Sequence, residues 1–496
     1  MIQRQFYIYP LLVLSVILNM LQISAVPVVE EASTMKTSGY VREITASESE
    51  LVISNSNVAR VSELSPVSER YDIDVAMDYA RHFLTVEEVI IYPNRTGTRL
   101  DFLTLAVVPN LSPDCFDLIY LTVDDVTVTD YSLSKQRLDV PLRTALEPDS
   151  AVKLTLRYTL SLPYLDQFNH INAPLLGYTD MQTNLVNWYP FVVPFVNGQW
   201  VLHDPWWYGD YLEYPIADYQ VNLVFVGEVT APVVAASGGA ERIVDINRYT
   251  LENGRAFAFS ISSKFEVSSM KVGKTTIFSY YLPAFHKPAE AAMEVSAQAI
   301  DLFSKKFGEY PYSSFSIVQA GLSDSREFSG LSFVSRNFYQ SYDGTFDNYL
   351  AYISVHVVAH QWWFDQVEND PAMEPWLDEA LAMLSERLYF ENLYPDLLSS
   401  WQENRVDFFR PQGKVDVSIY ESKNYDAYKQ AVYFNGVNFL QDLRQRVGDK
   451  VFLEFLQDYF SQNKGQIATD KGFFRVLDEH TDADYSDIVS EYFKSK

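Results

Sequence analysis

The apolar residues of this chain change their spacing once, near Tyr281, and that change constrains the fold more than any other feature. Before it, apolar and polar residues alternate, as in Tyr71-Asp72-Ile73-Asp74-Val75 and, with β-branched residues prominent, in Val86-Glu87-Glu88-Val89-Ile90-Ile91. A period of two sends successive side chains to opposite faces, the pattern of a strand with one face buried. Similar runs stand at 102–108, 152–160 and 219–226, and Tyr92-Pro93-Asn94 closes the second run as a turn. From 288 to 307 the spacing is helical. A strand pattern follows at 315–319, and helical patterns then cover 347–366, 376–392, 429–447 and 449–462. The sequence therefore predicts a multidomain β plus α/β protein, with an antiparallel β domain over 66–265 and an α-rich domain with a few strands over 266–496.

A length of 496 residues exceeds one ordinary core, and 48% hydrophobic and 15% aromatic content supplies more than one. Residues 27–65 are rich in Ser, Glu and Thr and read as a linker. Residues 1–26 carry Arg4 and then a largely apolar run from Phe6 to Val26, which reads as a cleaved signal peptide or a retained membrane anchor. Either exports the rest, so the expectation is an extracytoplasmic protein, secreted or membrane-anchored. Asn94-Arg95-Thr96 fits the acceptor pattern for N-glycosylation.

The formal net charge of -27 argues against a nucleic-acid partner, whose phosphates such a surface repels. It suits a cationic substrate such as a peptide with a free amino terminus, and it equally serves solubility alone. The single cysteine, Cys115, rules out an intramolecular disulfide and a cysteine-built zinc site. A metal here has to rely on His and carboxylates.

The segment His356-Val357-Val358-Ala359-His360 places two imidazoles four residues apart, on one face of a helix and about one turn from each other. Glu379 follows 19 positions after His360 in Trp376-Leu377-Asp378-Glu379-Ala380. A helix, a loop and a second helix can return it to the same ion. Two His and one Glu leave a fourth position open, the arrangement of a catalytic rather than a structural zinc site. The expected cofactor is one Zn2+ per chain.

These residues, with Gln361-Trp362-Trp363 after the second His, resemble the H-E-x-x-H-x-W and W-L-x-E motifs of the aminopeptidase N family of gluzincin metallopeptidases. Trp188-Tyr189-Pro190 and the segment 308–312 match further landmarks of that family, and the resemblance covers residues from about 66 to the carboxyl end. It implies a thermolysin-like catalytic domain, cleavage of amino-terminal residues from peptides, and zinc held by His356, His360 and Glu379. It also implies that Glu327, in Arg326-Glu327-Phe328-Ser329-Gly330-Leu331, binds the substrate's free amino group. Asp324-Ser325-Arg326 replaces the family's Gly-x-Met there, and Arg326 is placed to pair with Glu327. Tyr433, in Tyr433-Phe434-Asn435-Gly436, inherits the role of oxyanion donor, with Tyr428 nearby.

One position departs from the pattern decisively. Val357 stands where the family carries the Glu that serves as general base, and valine can neither take nor give a proton. Phe364-Asp365 stands where Gly-Asn is common. Glu368 and Glu386 are nearby in sequence, read as solvated carboxylates, and neither has the position of the missing base; rescue by one of them stays open. The sequence thus supports three readings: a weakly active or inactive zinc peptidase, a non-catalytic pseudoenzyme that binds peptides or proteins, and an export-anchored structural protein in which zinc only staples the domain.

Overall fold

The computed structural model describes residues 68–165, 175–227, 230–243, 246–322 and 325–494. The expected targeting segment (1–26), the linker (27–65) and Asp324 lie outside them.

In the strand Arg70–Asp78, Tyr71, Ile73, Val75 and Met77 are buried while Arg70 and Asp74 are exposed, which realises the period of two. This strand lies inside an eight-stranded sheet. The strand Phe83–Pro93 pairs with it antiparallel, and Ala217–Phe225 pairs with it parallel on the other side. All other pairings in that sheet are antiparallel. Phe83–Pro93 buries Glu88 among its apolar residues, and burial pushes that carboxyl well above its usual range. Two four-stranded antiparallel sheets and a short hairpin complete the β-rich part. Trp188 and Tyr189 are fully inside it: Trp188 Nε1 donates to Phe257 O at 3.1 Å, and the Tyr189 hydroxyl accepts from Phe257 N at 3.0 Å.

Asn94 corrects an expectation. It is 0% exposed, and its Nδ2 donates to Thr98 O at 2.8 Å and Leu146 O at 2.9 Å while Oδ1 accepts from Thr96 N. The acceptor nitrogen is spent on closing a turn, so the tripeptide is a turn device in the folded chain and no glycan can sit on it.

From Glu266 the strands belong to a different, five-stranded mixed sheet, in the order Glu266–Val272, Thr275–Tyr281, Ser314–Ala320, Leu331–Ser335, Arg326–Phe328. Arg326–Phe328 is its edge. The helix His286–Lys306 packs on this sheet and on the helix Tyr349–Ala359.

The helix Tyr349–Ala359 starts at Asn348, whose side chain accepts from Ala351 N at 3.1 Å. Residues 350–359 are all buried, so this is a central helix rather than an amphipathic one. It is shorter than the 347–366 expected from its pattern. The chain turns after His360, with Trp363 N bonded to Ala359 O and Asp365 N to His360 O. The cause of the error is that Gln361-Trp362-Trp363 is as buried as the helix and extends its apolar pattern. Phe364 lies at φ 144°, where a side chain costs about 1–3 kcal/mol. Glycine is at ease there, and Phe364 is held by burial and by its edge contact with Tyr214.

The expected helix 429–447 is likewise broken. Tyr425–Lys429 passes into a wide π turn, Gln430–Asn435, and then into the helix Gly436–Val447. The π turn carries Tyr433.

Candidate metal centre

His356 and His360 come from the last turn of the buried helix Tyr349–Ala359 and its cap, and Glu379 from the first turn of Trp376–Leu393. Trp363 ties the intervening turn to the second helix by donating Nε1 to Ser385 Oγ at 2.9 Å, and Trp362 Nε1 donates to Gly308 O at 2.8 Å. The two imidazoles and the carboxylate thereby converge. His356 Nε2 lies 3.1 Å from His360 Nε2 and 3.2 Å from Glu379 Oε2, and His360 Nε2 lies 3.5 Å from the same oxygen.

The outer ring nitrogens decide what these atoms offer. His360 Nδ1 faces the carbonyl of Trp363 at 2.9 Å, which only accepts, so Nδ1 carries the proton. His356 Nδ1 faces Glu386 Oε1 at 2.8 Å. Glu386 is held ionised from behind by Arg405 (Nε to Oε2 2.9 Å, Nη2 to Oε1 2.8 Å) and by Trp401 Nε1 at 3.0 Å. Burial opposes its charge, yet Arg405 and His356 hold the carboxyl below the usual range. Both Nε2 atoms therefore present lone pairs toward Glu379.

Three ligand-type atoms that converge in this way call for a cation, a metal ion or a proton on a ring. Tetrahedral zinc ligands at about 2.0–2.1 Å stand about 3.3–3.4 Å apart, and the three edges here are 3.1, 3.2 and 3.5 Å. The residues fit zinc. The local field agrees. Burial opposes a charge on either ring, but hydrogen bonds to Glu379 and Glu386 lift His356, and the charge of Glu327 with bonding to Glu379 lifts His360 well above the imidazole range. Glu379 is pulled down by the same two rings against its own burial.

Glu327 is largely withdrawn from solvent, with its side chain 11% exposed. It sits on the edge strand Arg326–Phe328 with Oε1 3.9 Å from His360 Nε2, and burial raises its carboxyl to about 7 against the pull of His360. Gln361 sets its height by bridging Phe328 O (3.0 Å) and Gly330 N (2.9 Å). Arg326 donates Nη1 to Ser325 O at 2.8 Å, and its charge adds only a minor pull on Glu327. The Tyr433 hydroxyl donates to Glu379 Oε1, and its ring stacks on His356 at 6.0 Å. Tyr428 is a core residue against Tyr433.

Val357 is 1% exposed and lines the cleft of about 310 Å3 that these groups share. Glu368 and Glu386, expected to be solvated, are both buried and engaged: Glu368 pairs with Arg255 at 3.0 Å and Glu386 with Arg405. Sequence reasoning missed Arg405, which joins the site from 26 residues beyond Glu379, and Asp210, which lines the cleft from the β-rich part. Neither stands in a local pattern that marks it.

The model of the peptidase family M1 domain matches residues 291–492. Aminopeptidase N of Lactobacillus helveticus is 24% identical over 237 residues, 43% of this chain and 28% of that protein. Aminopeptidase 2 of Candida albicans is 20% identical over 236 residues, 44% of this chain and 25% of that one. The matches thus span about a quarter of the length of these relatives. Among solved structures, the M1 zinc metallopeptidase of Deinococcus radiodurans superposes with a TM-score of 0.64 at 16% identity, over 86% of this chain and 94% of that one. A variant of it bound to a Tyr-Ser-Ala substrate gives 0.63, with the same coverage. At such identity the likeness shows the fold, a β-rich part followed by an α/β catalytic part. Residues 291–492 thus match the peptidase family M1 domain, and the chain around them is similar in sequence to M1 aminopeptidases and in fold to M1 zinc metallopeptidases.

Proposed function

We propose that the cleft holds one zinc ion on His356, His360 and Glu379, receives peptides by their free amino termini, and hydrolyses them slowly or not at all. The observation that carries this reading is Val357, an apolar side chain on the cleft wall at the position of the family's proton carrier.

When bound, zinc in an open three-ligand site polarises a carbonyl and acidifies water. The chain's own residues supply the rest. Glu327, on an open strand edge beside the ligands, offers a carboxylate to an ammonium group and so sets the register of a peptide. Tyr433 holds a hydroxyl at the rim of the centre, where it can donate to an oxyanion. Water attack also needs a proton acceptor, and neither Glu368 nor Glu386 is free to act. Glu386 lies on the outer side of His356 under Arg405, and Glu368 is paired with Arg255. The same observation favours a second reading, a non-catalytic binder of peptide amino termini. Export belongs to the proposal through residues 1–26, and a full-length cytosolic product would refute that part.

The test compares the wild type with Val357→Glu on aminoacyl and peptide substrates. The wild type is expected to be slow or silent, and the variant to gain up to about 10²–10⁴-fold. A wild-type turnover of about 1–10³ s⁻¹ would overturn the proposal. A folded, zinc-loaded variant without gain would leave the binding reading in its place.

A further inference from the structure

Away from the cleft, a second set of ligand-type side chains converges. His203, Glu213 and Asp370 each offer one atom, and the three atoms lie within 4.8 Å of one another. His203 Nε2 is 2.9 Å from Asp370 Oδ2 and 3.8 Å from Glu213 Oε1. His203 and Glu213 come from the irregular stretch 201–216 of the β-rich part, and Asp370 from the turn between the two helices that carry His360 and Glu379.

We propose that His203, Glu213 and Asp370 bind a second divalent metal ion, of the zinc class, which ties the β-rich part to the turn connecting the ligand helices. The proposal is independent of how the cleft works.

The donor chemistry selects the ion. One imidazole with two carboxylates suits zinc, whereas calcium and magnesium take all-oxygen shells. Each ligand is also oriented from behind. Asp370 Oδ1 accepts from Ala372 N at 3.1 Å and Met373 N at 3.0 Å, which leaves Oδ2 for His203. The carbonyl of His203 accepts from Gln136 Nε2 at 2.6 Å. The backbone after Glu213 is clamped at Tyr214, whose O accepts from Arg255 Nη1 at 2.8 Å and whose N donates to Glu368 Oε1 at 3.4 Å.

The Glu213 carboxyl is the independent observation. Its side chain is 3% exposed. Its neighbours are the His203 ring and the Asp370 carboxyl, to which it is hydrogen-bonded. Arg255, the cation behind it, is already paired with Glu368 at 3.0 Å. Two carboxyl groups that meet out of solvent share either a proton or a cation, and His203 completes a ligand set for a cation.

The experiment is metal analysis after zinc-replete purification, with folding followed by circular dichroism. The wild type is expected to hold two zinc ions per chain. His356→Ala/His360→Ala, which removes the cleft ligands, should keep one. Glu213→Gln, nearly isosteric, should lose one from the wild type and the last one from the double variant. Failure of the cleft reading alone would appear as zinc retained only at the second site. No zinc in a folded His356→Ala/His360→Ala protein, or an unchanged content in Glu213→Gln, would overturn the proposal and leave a hydrogen-bonded His–carboxyl cluster. Should the double variant not fold, zinc titration into chelator-stripped wild type decides: two equivalents against one in Glu213→Gln support the site, and one equivalent in both refutes it.

Discussion

Nδ1 of His356 meets Oε1 of Glu386 at 2.8 Å, thirty residues along the chain, and the same oxygen accepts Nη2 of Arg405 at 2.8 Å. One carboxylate thus orients the His356 ring and neutralises a buried guanidinium. Glu386→Gln should lower zinc affinity at the cleft by about 10–100-fold, the usual effect of losing such a support. Loss of the carboxylate charge beside the buried Arg405 guanidinium should lower stability as well, by up to about 3–5 kcal/mol. Chelator competition and urea unfolding of the loaded protein measure the two effects. An unchanged affinity would show that the ring needs no anchor.

Gly436 faces Ala380, the neighbour of Glu379. A Cβ added there would lie 2.6 Å from the Ala380 Cβ, closer than carbon atoms approach. Alanine is the better helix former by about 1 kcal/mol, but overpacking costs about 1–3 kcal/mol, so packing wins. Gly436→Ala should lower stability by up to about 2 kcal/mol and weaken zinc binding through displacement of Glu379. Adding Ala380→Gly should restore much of both. Thermal melts and zinc titration of the two proteins check this, and a stabilised single variant would contradict it.

Glu69 accepts from the Tyr71 hydroxyl at 2.5 Å, and that hydroxyl accepts from Val192 N at 3.1 Å. Burial raises the Glu69 carboxyl to about 8, against the opposing pull of Tyr71 and Arg95. The folded chain therefore keeps a proton that the unfolded chain has lost above about pH 4.5. Stability from this group is full at lower pH and falls as pH rises from about 4.5 to 8, by at most about 1.4 kcal/mol per pH unit. Glu69→Gln should flatten that decline in unfolding measurements between pH 5 and 8. A decline as steep as that of the wild type would assign it to other buried carboxyls.

What the sequence alone determined is whatever rests on local spacing. Period-two patterns marked strands such as Arg70–Asp78, because a half-buried strand writes its two faces into the sequence. The His356–His360 pair was legible because four residues nearly complete one helical turn, and the inability of Val357 to carry a proton because a side chain's chemistry is intrinsic to it. The tertiary structure alone decided the rest. The helix Tyr349–Ala359 ended early because Trp362 and Trp363 are buried by a turn as fully as by a helix, and apolar spacing cannot tell the two apart. Asn94 is buried because its side chain closes a turn against Leu146, a partner 52 residues away. Glu386 became a support for His356 because Arg405 folds over it, and a charge is drawn inside only where a partner from elsewhere in the chain meets it. The cluster of His203, Glu213 and Asp370 spans up to 167 residues, and no local pattern announces it, since only the packing of the β-rich part on the ligand helices brings those atoms within reach of one another.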